Sequence, residues 1–303
     1  DDFTEELQYQ TNGFRITKAV FTGEIAHTDS YQYDQCGRLQ SASRSGTHSY
    51  SHLYSYRGSR LVKVTNSVEL IRNSDGTIQN IIDVKSSHPR IELSYDNLGN
   101  VTKYGSMKLT YECGHRLSGI QGENISVSYR YAYDGTRTEK TINGKKTIFY
   151  YDGSVLLGED RDDGTRIRYF RDNDSYTGFT IEKENYRTFY GYIKDASGSI
   201  LGLIDSQGYI VGTYVYDERG TILEIDANKN ISDSKEAMEL NPIRYRGYYY
   251  DTETGFYYLM SRYYNPLSLS FLTPDEKEYV DGCSIPGVDP YCYCCYDPVN
   301  FSD

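Results

Sequence analysis

The sequence contains no tryptophan, and of its seven prolines only Pro89 comes before residue 242. Proline lacks a ladder donor and interrupts sheets, so a long regular β-region can run to about residue 240, with irregular structure after it. Apolar residues are also scarce, at 38% against roughly 45–50% for globular domains, which excludes a thick conventional core. No run approaches the roughly 20 apolar residues that a membrane helix requires. Positive charge is in deficit, 32 basic against 43 acidic residues for a net −11. That argues against nonspecific binding to nucleic acid or anionic membranes. The six cysteines make no disulfide framework: Cys36 and Cys113 stand alone, and Cys283, Cys292, Cys294 and Cys295 crowd the end. Their spacing offers no pair of Cys-x₂₋₄-Cys knuckles, so packing thiols are expected, with a zinc site or a local disulfide as the other readings. The first residues, "DDFTEELQYQ", are acidic and lack a starting Met, and read as an internal position of a longer polypeptide without a signal peptide.

What is abundant is tyrosine, 34 residues, with 27 glycines. They recur in one pattern: an aromatic-alternating strand, Tyr-Asp, a few turn residues with Gly, and a second strand. Examples are "YQYDQCGRLQ" at 31–40, "LSYDNLGNVTKY" at 93–104, "YAYDGTRTEKT" at 131–141 and "YVYDERGTILEI" at 214–225. The tyrosine before the turn is read at 33, 56, 95, 111, 133, 151, 216 and 250. Alternation puts the rings of Tyr31 and Tyr33 on one strand face. Asp opening and Gly closing a four-residue step suit a type I turn, as in Asp34–Gly37 and Asp96–Gly99. Each unit is thus a β-hairpin, and a lone hairpin is barely stable, so the units must pair edge to edge in one long, coiling antiparallel sheet. The segment 226–240 is the best helix candidate, read as one short helix or loop, with Asp233 as cap and Glu236 at the capping-box position.

The densest stretch is "RYRGYYYDTETGFYYLMSRYYNP" at 244–266, with eight tyrosines in 23 positions. It reads as one more Tyr-Asp hairpin around "DTETG", and its Arg244 and Arg246 as stacking partners for tyrosine rings.

In these residues the chain resembles the YD or RHS (rearrangement hot spot) repeats of bacterial polymorphic toxins, toxin-complex C components and teneurins. Residues 241–303, with "NPIRYRGYYYDTETGFYYLMSRYYNP…FLTPDE", resemble the RHS-repeat-associated core domain. The resemblance implies an all-β fold, a spiral antiparallel sheet of YD-repeat β-hairpins forming part of a hollow shell. It divides the chain into a shell fragment (1–240) and an RHS core domain (241–303). It also implies a function: encapsulating or presenting a C-terminal toxin or effector of the same polypeptide, in a secreted or cell-surface bacterial protein with further N-terminal repeats or a delivery module. Many members of the family cut themselves after the core domain by aspartyl-protease-like chemistry, which needs two carboxylates with separated pKa values. The motif carries over to Arg262 in "SRYYNP", Asp275 in "TPDE" and Asp303 at the end of "DPVNFSD", with Glu276 and Glu278 where the family has Pro and Gly. At most, then, the parent cleaves itself once, and no turnover enzyme is expected. The alternative is an extracellular adhesion module that binds carbohydrate through exposed tyrosines.

No cofactor or metal is expected. The five histidines are scattered, and His48 and His52, four apart on a strand, would lie about 13 Å apart at ~3.3 Å per residue. No Walker loop, HExxH or Rossmann fingerprint occurs. Most acidic residues fall in turns at the repeat's Asp position or in loops, where local hydrogen bonding accounts for them without a glycosidase pair.

Overall fold

The computed structural model describes residues 4–11, 13–23, 26–87, 89–172, 175–184, 186–275 and 289–301. Two compact units are present: one of residues 1–105, 217–221 and 264–303, the other of residues 106–216 and 222–263. The fold is all-β. Among the described residues, 22 strands from Glu5–Tyr9 to Ile222–Ala227 form an open antiparallel sheet in which pairing follows chain order.

The turn chemistry is as the sequence indicates. In the first unit the Gly37 N–H donates to the Asp34 carbonyl at 2.9 Å, and the Asp34 carboxylate accepts from the Cys36 and Arg38 N–H groups. Gly37 closes the turn at φ +81°, where only glycine is unstrained. Asp96–Gly99 repeats this arrangement. Just before each turn the ladder shifts register by a bulge, between Gln32/Tyr33, Ser55/Tyr56, Thr110/Tyr111, Arg130/Tyr131, Tyr150/Tyr151 and Val215/Tyr216.

The bulge frees the tyrosine to reach the preceding hairpin. The Tyr33 hydroxyl donates to the Ile16 carbonyl (2.6 Å), Tyr56 to Leu39 (2.8 Å) and Tyr95 to Ile78 (2.9 Å) in the first unit. In the second, Tyr131 donates to Leu117 (2.6 Å) and Tyr216 to Ile200 (2.9 Å), while in the hairpin where Arg171 follows the bulge the tyrosine opposite it, Tyr176, donates to Leu156 (3.2 Å). Each acceptor opens, or nearly opens, the second strand of the hairpin before. The arginine one residue ahead of it stacks on the same ring: Arg15 on Tyr33, Arg38 on Tyr56 and Arg116 on Tyr131, at 5.6, 4.1 and 5.5 Å. Where a unit lacks the tyrosine, Arg72 replaces it and donates Nε to the Leu61 carbonyl at 2.9 Å. Burial pushes the Tyr33, Tyr56, Tyr95 and Tyr131 hydroxyls up, so they stay protonated donors. Tyrosine is therefore the rung that ties hairpin to hairpin.

Two expectations are corrected. The rung of the "YAYDG" unit is Tyr131, because its turn opens at Ala132 and closes at Gly135; Tyr133 sits in the turn, fully exposed. Within 226–240 the helix is short, Ser234–Leu240, starting directly after Asp233, and residues 226–227 finish the strand Ile222–Ala227. Asp233 occupies the cap position without a side-chain bond to the helix, and Glu236 pairs with Lys183 instead of closing a capping box.

Candidate functional site

The Tyr-Asp hairpin of the dense stretch exists: Tyr249–Asp251 pairs with Phe256–Leu259, and the Asp251 carbonyl accepts from Thr254 and Gly255. Its aspartate does a different job from those of the repeats. The Asp251 carboxylate is fully buried and accepts from Arg137 at 2.6 and 3.2 Å and from Lys140 at 2.8 Å. Lys140 also pairs with Glu253 at 2.9 Å. The rings of Tyr129, Phe149, Tyr249, Tyr258 and Tyr263 surround the Arg137 guanidinium at 4.3–5.9 Å. Burial raises the Asp251 carboxyl, but the charges of Arg137 and Lys140 outweigh it and hold the group below the usual range. Burial and the Asp251 charge push Glu253 up. Neighbouring Glu159, also fully buried, accepts from Tyr249 at 2.9 Å and Arg161 at 2.7 Å.

The C-terminal block also rests on the rungs. In the second unit the Tyr263 and Tyr131 hydroxyls are 3.0 Å apart, and the Tyr245 ring lies 6.1 Å from that of Tyr216. Arg244 stacks on Tyr214 and Tyr250, and Arg246 on Tyr245, as expected of these arginines. In the first unit Asn300 donates to Tyr33 at 2.8 Å, while Tyr296 and Tyr291 pack edge-on against Tyr56 and Tyr95, each at 5.8 Å. Asp289 pairs with Arg72 at 2.8 Å and accepts from Tyr296 at 2.7 Å.

A second buried polar cluster lies in the first unit. The turn 217–221 places Glu218 against His52 (3.0 Å) and the Tyr54 hydroxyl, and Arg219 against Asp217 and Ser67. The Tyr264 hydroxyl donates to the Arg219 carbonyl at 2.7 Å. Burial works to raise Glu218, but the His52 hydrogen bond and charge, with Arg219, hold it at about 2. His52, Asp217 and Glu218 have the donor set of a metal site. The Arg219 guanidinium, however, sits on both carboxylates, 2.5 Å from Asp217 and 3.7 Å from Glu218, and supplies the cation itself. His48, by contrast, lies in the turn before the strand Tyr50–Arg57.

Of the residues carried over by resemblance, Arg262 begins the strand Arg262–Asn265, half-buried in the second unit. Asp275 is half-buried in the first unit, its N–H donating to the Pro290 carbonyl at 2.8 Å. Asp303, like Cys283, His88, Glu276 and Glu278, lies outside the described residues. Cys295 is disulfide-bonded, Cys294 is buried, and Cys36 and Cys113 are exposed thiols.

Comparison with known proteins agrees with this architecture. A family model described as Teneurin YD-shell matches residues 2–286. A tRNA nuclease WapA of Bacillus subtilis (strain 168) is 35% identical over 214 residues, covering 68% of this chain and 9% of that protein. A tRNA3(Ser)-specific nuclease WapA of Bacillus spizizenii is 34% identical over the same length and shares. The chain thus spans about a tenth of the length of these relatives. Among solved structures, TcdB2-TccC3-Cdc42 and TcdB2-TccC3 share the fold, with TM-scores of 0.72 and 0.69 at 16% identity over 99% of this chain and 17% of theirs. The match across nearly all of the hairpin array places the chain in the Teneurin YD-shell family.

Proposed function

We propose that this chain is wall and lid of a shell that encloses or presents a C-terminal effector of its own polypeptide, in an exported toxin. The observation that carries this reading is the use made of the tyrosines. The rungs are spent on neighbouring hairpins and on the C-terminal block, which is how a wall and its closure are built, and not on an open ligand face. The division into shell residues 1–240 and core domain 241–303 belongs to the same reading. The relatives named as nucleases are far longer than the matched region, so we assign no nuclease chemistry to these residues. The test is to express the complete gene product and treat it with protease. Enclosure predicts a C-terminal fragment that survives until the shell is unfolded; digestion at one rate in native and unfolded protein would contradict it.

One-time self-cleavage by Asp275 and Asp303, with Arg262 assisting, is part of the proposal. Asp275→Asn and Arg262→Ala should each leave the complete gene product as one uncut band on a gel where the wild type gives two. A wild type that stays uncut removes the idea.

Adhesion to carbohydrate has a foothold among the described residues of the second unit. Tyr150, Phe170 and Phe189 are exposed, with the two phenylalanine rings 5.7 Å apart. Binding of wall polysaccharide that is lost in Phe170→Ala would favour that reading over the shell.

A further inference from the structure

Lys140 is buried on the strand Arg137–Ile142, although lysine is almost never withdrawn from water unless it is paired. Its Nζ lies 2.8 Å from Asp251 Oδ1 and 2.9 Å from Glu253 Oε1, and the Tyr249 ring is 5.2 Å away. Arg137 holds the other Asp251 oxygen, Oδ2, at 2.6 Å and already balances that carboxylate. A structural ion pair needs Arg137 and Asp251 alone and gives Lys140 and Glu253 no part. The side chains of Lys140, Asp251 and Glu253 are 6, 0 and 9% exposed, so an amine and two carboxyl groups touch where little water reaches. All of these residues belong to the second unit.

We propose that Lys140 and Asp251 condense into an isopeptide bond, an amide from Nζ to Cγ, with Glu253 as the catalytic residue that relays protons. One Nζ proton passes to Asp251 Oδ1 across the 2.8 Å contact, and the freed lone pair adds to Cγ. The negative charge that develops on Oδ2 falls on the oxygen to which Arg137 donates. Glu253 takes a second proton from Nζ and gives one to Oδ1, the Cγ–Oδ1 bond breaks, and Oδ1 leaves as water. Oδ2 becomes the amide carbonyl, Nζ keeps one hydrogen, and Glu253 ends as it began. Ammonium and carboxylate thus give one amide and one water, with no oxidant or cofactor. Burial and the Asp251 charge push the Glu253 carboxyl up, which fits it to give a proton as well as take one. Contact between the reacting groups and exclusion of water favour condensation. The bond ties the C-terminal hairpin to a strand residue 111 positions earlier and constrains the unfolded chain as a disulfide does. Before it forms the site is the ion pair described above, and it stays so in Lys140→Arg. None of this rests on the shell reading.

The test is the intact mass of the purified chain, taken after unfolding. The proposal expects a species lighter than the sequence by one water, and a branched peptide in tandem mass spectra that joins Lys140 to Asp251. Lys140→Arg and Asp251→Ala should each return the full sequence mass. Asp251→Asn is unsuitable, because its amide can react with loss of ammonia. Glu253→Gln, checked as folded by the near-ultraviolet dichroism of its tyrosines, should cut the fraction joined after a fixed interval by about tenfold or more. Wild-type chain that keeps the full sequence mass after days in the folded state overturns the proposal. So does a mass loss that survives Lys140→Arg, or a joined fraction that Glu253→Gln leaves unchanged.

Discussion

Arg137 and Asp251 meet at 2.6 Å in a site from which both side chains are fully withdrawn from water, joining a repeat strand to the hairpin of the C-terminal block. Removing one partner of such a pair leaves an uncompensated buried charge, which costs about 3–5 kcal/mol. Asp251→Asn should lower the urea midpoint accordingly with little change in slope. The double variant Arg137→Met with Asp251→Leu should recover most of the loss, because it removes both charges and keeps the packing. A double variant as unstable as the single one would show that the rings, not the ion pair, hold the site.

The buried carboxylates also set a pH dependence. Glu218 is held at about 2 against an ordinary 4.5, and Asp251 is lowered from 3.8. A lowered folded-state pKa gives stability that is complete above the unfolded value and lost as pH falls through the folded one. Stability should therefore decline from about pH 4.5 towards pH 2. Glu253 and Asp297 are raised by burial and act with the opposite sign, favouring the folded state below their ordinary values and losing that contribution as pH rises. Urea titrations across this range should show a shallower acid decline in Glu218→Gln.

The rungs can be tested one hydroxyl at a time. Tyr56→Phe leaves the ring in place and removes the bond to the Leu39 carbonyl, a loss of about 0.5–1.5 kcal/mol. Tyr133→Phe, at an exposed turn position, should stay within about 0.5 kcal/mol of the parent. Thermal or chemical melts of the two variants distinguish a structural rung from a surface tyrosine.

Arg219 makes a prediction about metals. Because its guanidinium is the counter-ion of Asp217 and Glu218, added Zn²⁺ should not raise the melting temperature, and a chelator should not lower it. Arg219→Ala removes the cation and leaves His52, Asp217 and Glu218 together. Only in that variant should zinc stabilise.

The sequence already shows the hairpins, since an Asp–Gly step such as Asp34–Gly37 and alternating tyrosines are local signals and local physics decides them. The hidden parts depend on partners far along the chain. Asp251 has the same Tyr-Asp context as Asp34, and only the arrival of Arg137, 114 residues earlier, gives it another role. Glu218 and Arg219 look like solvated turn charges in "YDERG", yet they are buried against His52, 166 residues away, and Ser67. The Tyr131 register was legible in principle. Gly135 fixes the end of the four-residue turn, and counting back three positions gives Ala132, not Asp134, as its start.

The central claim is that the C-terminal block is seated on the rungs and opens with them. Native-state hydrogen exchange tests it most directly, comparing residues 242–263 with 129–151 in one unit and 289–301 with 31–57 in the other. The account predicts that within each pair the slowest amides share one opening free energy and that Asp251→Asn lowers it for both members of the second-unit pair. A block that exchanges orders of magnitude faster than the strands beneath it, while those strands stay protected, would contradict it.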